Sequence, residues 1–169
     1  MNTFQLQFKS KSIAKEFFCA EQSINTRQLL KYKRHKANGS FHLALSQLEH
    51  RVDHILFRSM LSSGINMARN LVKSGAIFID GEECRKPEVE LKEGQILEIR
   101  GLERKKVRQA LHQNPFSRMW GHTPPYLEVD YDFLGVVLLR KVRFSDIPHP
   151  FSDSVLREMS SYYYRYGMR

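Results

Sequence analysis

The stretch Gly75-Ala76-Ile77-Phe78-Ile79-Asp80-Gly81 is where the chain turns from helix to sheet. Gly75 stands where a helix ends on a left-handed residue, a conformation that costs glycine nothing. Ala76 to Ile79 is a short β-run, and Asp80-Gly81 is a dipeptide that closes tight hairpins. A second short strand is therefore predicted near Glu82–Arg85. Upstream, Asn66 is a plausible cap for a short helix, Met67–Ser74, with Ala68, Leu71 and Val72 turned inward. Before it, Leu43, Leu45, Leu48, Val52, Ile55, Leu56 and Met60 follow the spacing of an amphipathic helix, predicted over 43–62 with room for an interruption. Ser62-Ser63-Gly64 ends it. Downstream, Val89 and Leu91 lead to a turn at Glu93-Gly94, and Gln95–Arg100 alternates as a third strand. The order is helix, helix, strand, turn, strand, loop, strand.

The flanks differ in composition. Residues 1–42 are polar and basic, with Lys31-Tyr32-Lys33-Arg34-His35-Lys36 as the densest charge run and Asn38-Gly39-Ser40 as a break. Lys9, Lys11 and Lys15 precede the first acid, Glu16, which is the composition of an organelle presequence. A basic arm kept on the mature protein reads the same way. Residues 101–169 open with a basic helix, Leu102–His112. Pro115 and Pro124-Pro125 mark a loop. Leu127–Asp130 and Val136–Leu139 read as a strand pair, and Ser152 or Asp153 could cap a last helix to Tyr163. Three regions are expected: an extension at 1–42, an α+β module at 43–100, and a mixed helical and β region at 101–169.

The chain holds 27 Lys and Arg against 18 Asp and Glu, a net charge of +9 over 169 residues. Such a surplus calls for an anionic partner, nucleic acid or an anionic membrane surface being the common ones. No run approaches the about 18 apolar residues a membrane span needs. The only cysteines, Cys19 and Cys84, exclude a disulfide framework and a four-thiolate zinc site. They fit a reducing compartment. His50 and His54 have ligand spacing but lack the glutamate placement of a zincin, so no metal is expected. No nucleophile elbow, Gly-rich phosphate loop or dinucleotide fingerprint occurs. Neither an enzyme, a cofactor nor a small-molecule substrate is expected.

Arg51, His54 and Arg58 lie three or four apart on the first helix, and Arg69 and Lys73 four apart on the second. If the helices pack through their apolar stripes, these groups can line one outer surface suited to phosphates. A solvated basic face is the plainer reading of the same charges. Asn66, with Ser62, Ser63 and Gly64, sits at the junction, where backbone amides can take a phosphate. Asp53 is a salt-bridge partner of Arg51 or Arg58, an N-terminal helix charge, or an orienter of an arginine fork toward RNA. Arg85, Lys86, Arg104, Lys105 and Arg108 add charge alone. Phe57 and Phe78 read as core. Phe116, Trp120, Tyr126, Tyr131, Tyr162, Tyr163, Tyr164 and Tyr166 could stack on unpaired bases, or seal a core or an interface.

The runs Leu48–Arg58, Ala68–Val72 and Gly75–Gly81 resemble those of ribosomal protein four of the small subunit, the family that named a small RNA-binding module. Pro125-Tyr126-Leu127-Glu128-Val129-Asp130 is similar to the family's Pro-Thr-Trp-Leu-Glu-Val-Asp segment, which sets it apart from other module carriers. The resemblance covers about 43–160. It implies an α+β fold in which two helices pack on a short, mostly antiparallel sheet. It also implies a structural role: binding small-subunit ribosomal RNA at a helix junction and supporting assembly, beside ribosomal protein five. The residues it offers for RNA are Arg51, Arg58, Arg69 and Lys73 for phosphate and Asn66 for sugar or backbone. His54, Arg85, Lys86, Arg104, Lys105 and Arg108 complete the candidate set. On this basis Arg58→Ala and Arg69→Ala should lower RNA affinity with little change in thermal stability.

The sequence departs from the family where Gly64 and Ile65 replace a Thr-Arg pair. A shortened N-terminal region and a tyrosine-rich tail resemble an organelle form, so a mitochondrial ribosome is expected, with plastid or bacterial cytoplasm as alternatives. A free ribosome quality-control factor with the same module should lack Leu127–Asp130. An RNA-modifying enzyme, such as a pseudouridine synthase or methyltransferase, needs a catalytic domain larger than the residues left over.

Overall fold

A computed structural model describes residues 46–113 and 123–147. The expected N-terminal extension, the last helix, Phe116, Trp120 and the C-terminal tyrosines lie outside the described residues. The elements are α1 (Val52–Arg58), α2 (Ile65–Lys73), β1 (Ile77–Ile79), β2 (Glu82–Cys84), β3 (Ile96–Ile99), α3 (Glu103–Gln113), β4 (Leu127–Asp130) and β5 (Gly135–Leu138). A 3-10 turn, Phe144–Asp146, follows.

The long helix expected over 43–62 is broken. Helix runs up to Leu48, and Arg51 is then extended, with φ −68° and ψ 142°. The cause is a long-range pairing. Arg51 bridges Glu90, the Val52 N–H donates to the Val89 carbonyl at 2.9 Å, and the Leu91 N–H donates to the His50 carbonyl at 2.8 Å. Apolar spacing continues through the break, so periodicity alone could not locate it. α1 ends at Ser59, and Met60 takes φ 60°.

α2 starts two residues earlier than expected, on Gly64, which offers no side-chain cap. Asn66 therefore lies inside the first turn and does not cap it. The other end is as read. Gly75 has φ +79°, its N–H donates to the Val72 carbonyl at 3.0 Å, and the Ala76 N–H donates to Leu71 at 3.3 Å. That pair of bonds is the Schellman arrangement, which satisfies carbonyls the helix leaves open.

Asp80 (φ 50°) and Gly81 (φ 89°) form a two-residue turn with Ile79 opposite Glu82. Both positive φ values match the turn whose twist suits adjacent strands. The sheet has the order β2-β1-β3-β5-β4, and every pairing is antiparallel. It crosses the division expected at residue 100, because β5 pairs with β3 and brings β4 with it. Gln47–Asp146 forms one unit by contacts. Val52, Ile55, Leu56, Ala68 and Val72 of the helices are buried, as are Ile77, Leu97, Ile99, Val136 and Leu138 of the sheet. Phe57 and Phe78, expected in the core, are only half-buried.

Candidate nucleic-acid interface

The arginines expected on an outer surface are inside. Arg51, His54 and Arg69 are buried and Arg58 is nearly so, converging on two carboxylates with no solvent exposure, Glu49 and Asp53. The reason lies in the break before α1. On an unbroken helix Glu49 and Arg58, nine residues apart, would face opposite ways. The turn at Glu49-His50 brings them together, and Arg58 grips Glu49 with Nε and Nη2, both at 2.8 Å. Tyr126, next to β4, is fully buried and donates its hydroxyl to Glu49 Oε2 at 3.3 Å. His54 Nδ1 lies 3.9 Å from the other oxygen.

Asp53 forms the second centre. Arg51, whose backbone is extended, binds it as a fork through Nε at 3.0 Å and Nη2 at 2.9 Å. Arg69 Nε donates to Asp53 Oδ2 at 2.9 Å from the neighbouring helix, and the His54 N–H donates to Oδ1 at 3.0 Å. Arg69 Nη1 then reaches Asn66 Oδ1 at 3.3 Å. Among the described residues, Arg69 Nη2 and His54 Nε2 are buried with no hydrogen-bond partner.

The electrostatics follow from that geometry. Burial alone would raise the Glu49 carboxyl, but the Arg58 bonds and the nearby His54 outweigh it and hold it at about 2. Asp53 is likewise pushed up by burial and then drawn below the usual range by Arg51, His54 and Arg69. Burial next to Glu49 pushes the Tyr126 hydroxyl far up, so it stays a donor. Removing one member would strand a buried charge, which costs about 3–5 kcal/mol. The expectation that Arg58→Ala and Arg69→Ala spare stability is therefore corrected: both arginines are tied to buried carboxylates. Asp53 pairs with Arg51 and Arg69, and does not pair with Arg58.

The remaining candidates are exposed or partly so. Asn66 and Lys73 stand on the outer side of α2, and the exposed Asn70 between them completes a stripe at helical spacing. Arg85 and Lys86 follow β2, where Arg85 pairs with the Glu83 carboxylate at 2.6 Å. Lys105 is exposed on α3. Arg104 lies over the Phe133 ring at 5.1 Å, and Arg104 and Arg108 both donate to the Asp132 carbonyl. Those two arginines fasten α3 to the β4–β5 turn. Asp130 shapes that turn by accepting the N–H groups of Asp132 and Phe133 at 2.9 Å. Tyr131 caps the end of α1, donating to the Ser59 carbonyl at 3.2 Å.

Sequence reading leaves out Glu49 and Asn70, and of the roles open to Tyr126 it is the core one that the structure shows. The signal for Asn70 was available, since it falls midway between two residues already chosen. The roles of Glu49 and Tyr126 depend on the broken helix and on a contact 77 residues away in sequence, which spacing cannot show.

Comparison with known proteins meets this geometry. A family model described as the S4 domain matches residues 50–97, from the start of α1 into β3. Small ribosomal subunit protein uS4 of Finegoldia magna is 26% identical over 154 residues, 88% of this chain and 76% of that protein. The uS4 protein of Rickettsia prowazekii is 35% identical over 109 residues, 64% of this chain and 51% of that protein. The uS4 protein of Parvibaculum lavamentivorans is 24% identical over 149 residues, 88% of this chain and 71% of that protein. The chain thus spans about half the length of the Rickettsia relative and about three quarters of the other two.

Proposed function

We propose that the chain is a member of the uS4 family of small-subunit ribosomal proteins and a structural constituent of a small ribosomal subunit. It binds the ribosomal RNA where helices converge and holds one arrangement of them during assembly. The observation that carries this reading is that the S4-domain match coincides with the helix pair and first three strands. Similarity to the ribosomal proteins also extends well beyond residues 50–97, which disfavours a free factor that shares only the module.

In this reading the RNA meets the exposed groups, and the buried arginines set the helix pair in position behind them. Asn66, Asn70 and Lys73 offer two amides and an ammonium along α2, suited to phosphate and sugar oxygens. Lys86 and Lys105 supply further cations, Arg85 is balanced by Glu83, and Arg104 and Arg108 hold α3 against the β4–β5 turn. Arg51, His54, Arg58 and Arg69 act through Glu49 and Asp53 as positioning groups. The protein is non-catalytic. Ribosomal protein five is its neighbour, and a mitochondrial ribosome its location, supported by the lysine-rich, acid-free first 15 residues.

The test is the salt dependence of binding to small-subunit RNA. Lys73→Ala and Lys105→Ala are each expected to lower the log-log salt slope by somewhat under ~1, with the thermal midpoint unchanged. An unchanged slope for both would remove these helices from the RNA interface.

A further inference from the structure

The two faces of the sheet differ in chemistry. One carries the buried Ile77, Leu97, Ile99, Val136 and Leu138. The other follows from register: Phe78 lies opposite Glu98, Ile96 opposite Val137, and Val137 opposite Glu128. Leu139, two residues past Val137, falls on the same side. Ile96 is 44% exposed and Leu139 51%, and Val137 beside them is half-buried. They make a continuous aliphatic strip across β3 and β5.

The charges around the strip do not suit RNA. Glu83 pairs with Arg85 at 2.6 Å and Glu98 with Arg100 at 2.8 Å, so those four cancel. Glu128 and Asp130 are left as carboxylates with no ion pair among the described residues, in a chain of net charge +9. Phe133 is 46% exposed at this end of the sheet but offers no platform for a base. Arg104 covers one side of its ring, and its edge lies 3.0 Å from where a Cβ on Gly135 would stand. Phe78 is similarly covered by Arg100 at 4.7 Å.

We propose that this open sheet face docks a neighbouring protein through a segment bearing aliphatic side chains together with lysine or arginine. Aliphatic residues cover Ile96, Val137 and Leu139, and the cations meet Glu128 and Asp130. A patch of apolar residues rimmed by polar ones is the usual mark of a protein contact. RNA would bring phosphates against carboxylates. A second copy would bring another +9 against the first. The face uses none of the groups assigned to RNA on α2.

The experiment uses the full chain with a photo-crosslinking residue at position 96, incorporated into ribonucleoprotein particles and irradiated. The expected crosslink is to a peptide of another protein that contains both aliphatic residues and Lys or Arg. Glu128→Lys should lower its yield roughly fivefold or more, as reversing a rim charge slows association. Leu139→Ser should also lower the yield. RNA affinity and thermal midpoint should stay unchanged in both variants. Crosslinks to RNA, to another copy, or to nothing would overturn the proposal, as would a yield indifferent to Glu128→Lys. RNA affinity is read separately, so a failure of the ribosomal reading would show in the unsubstituted protein.

Discussion

Glu49 and Asp53 decide what the arginines around them can do. Each carboxylate is buried and each holds two or more cationic or polar groups, so the guanidinium groups of Arg51, Arg58 and Arg69 are committed inside the protein. Arg58→Ala should therefore destabilise the fold by about 3–5 kcal/mol, read by urea denaturation. A change below about 1 kcal/mol would mean the pair behaves as a surface bridge. The pH dependence has a definite sign. Glu49 is depressed from 4.5 to about 2, so its contribution is present above the unfolded value and is lost as pH falls between the two. That contribution is roughly 3 kcal/mol at neutral pH. Glu49→Gln should flatten the acid limb of a stability profile between pH 4.5 and 2; an unchanged limb would assign it to other carboxylates. At this scale the residue types were legible and their roles were not. Arg51, His54, Arg58 and Arg69 stand out by charge and helical spacing, but the helix break at 49–51 and the packing of α2 on α1 bring Glu49 and Asp53 against them, which spacing within one helix does not show.

The elements were legible where local chemistry dictates them. Gly75, Asp80 and Gly81 each hold a positive φ, and each was placed from the sequence because few residues accept that backbone. The strands at 77–79, 82–84 and 96–99 followed within a residue or two. The start of α2 did not, because Gly64 caps nothing and Asn66 was the better candidate by type. Gly75 carries a further demand. A Cβ there would run into the Glu83 carboxylate, besides the cost of a left-handed backbone. Gly75→Ala should cost about 1–2 kcal/mol or more in a denaturant titration. A neutral result would mean that the α2–β1 junction can relax.

Across the molecule, the sheet joins what composition divides. A change in charge after residue 100 suggested a new region, yet β5 pairs with β3, and Tyr126 and Tyr131 reach back to Glu49 and Ser59. Such contacts bridge 72 and 77 residues and leave no trace in local pattern. The net charge of +9 is the soundest whole-chain signal for an anionic partner, and the proposed ribosomal role gives that partner its form. The most direct test is gradient sedimentation of the tagged full chain from a detergent lysate at moderate salt, with RNA crosslinks sequenced in each fraction. The account predicts co-migration with the small ribosomal subunit, crosslinks concentrated in its RNA, and their genome of origin naming the compartment. Migration as a free protein, or crosslinks chiefly to transfer RNA or the large subunit, would contradict it.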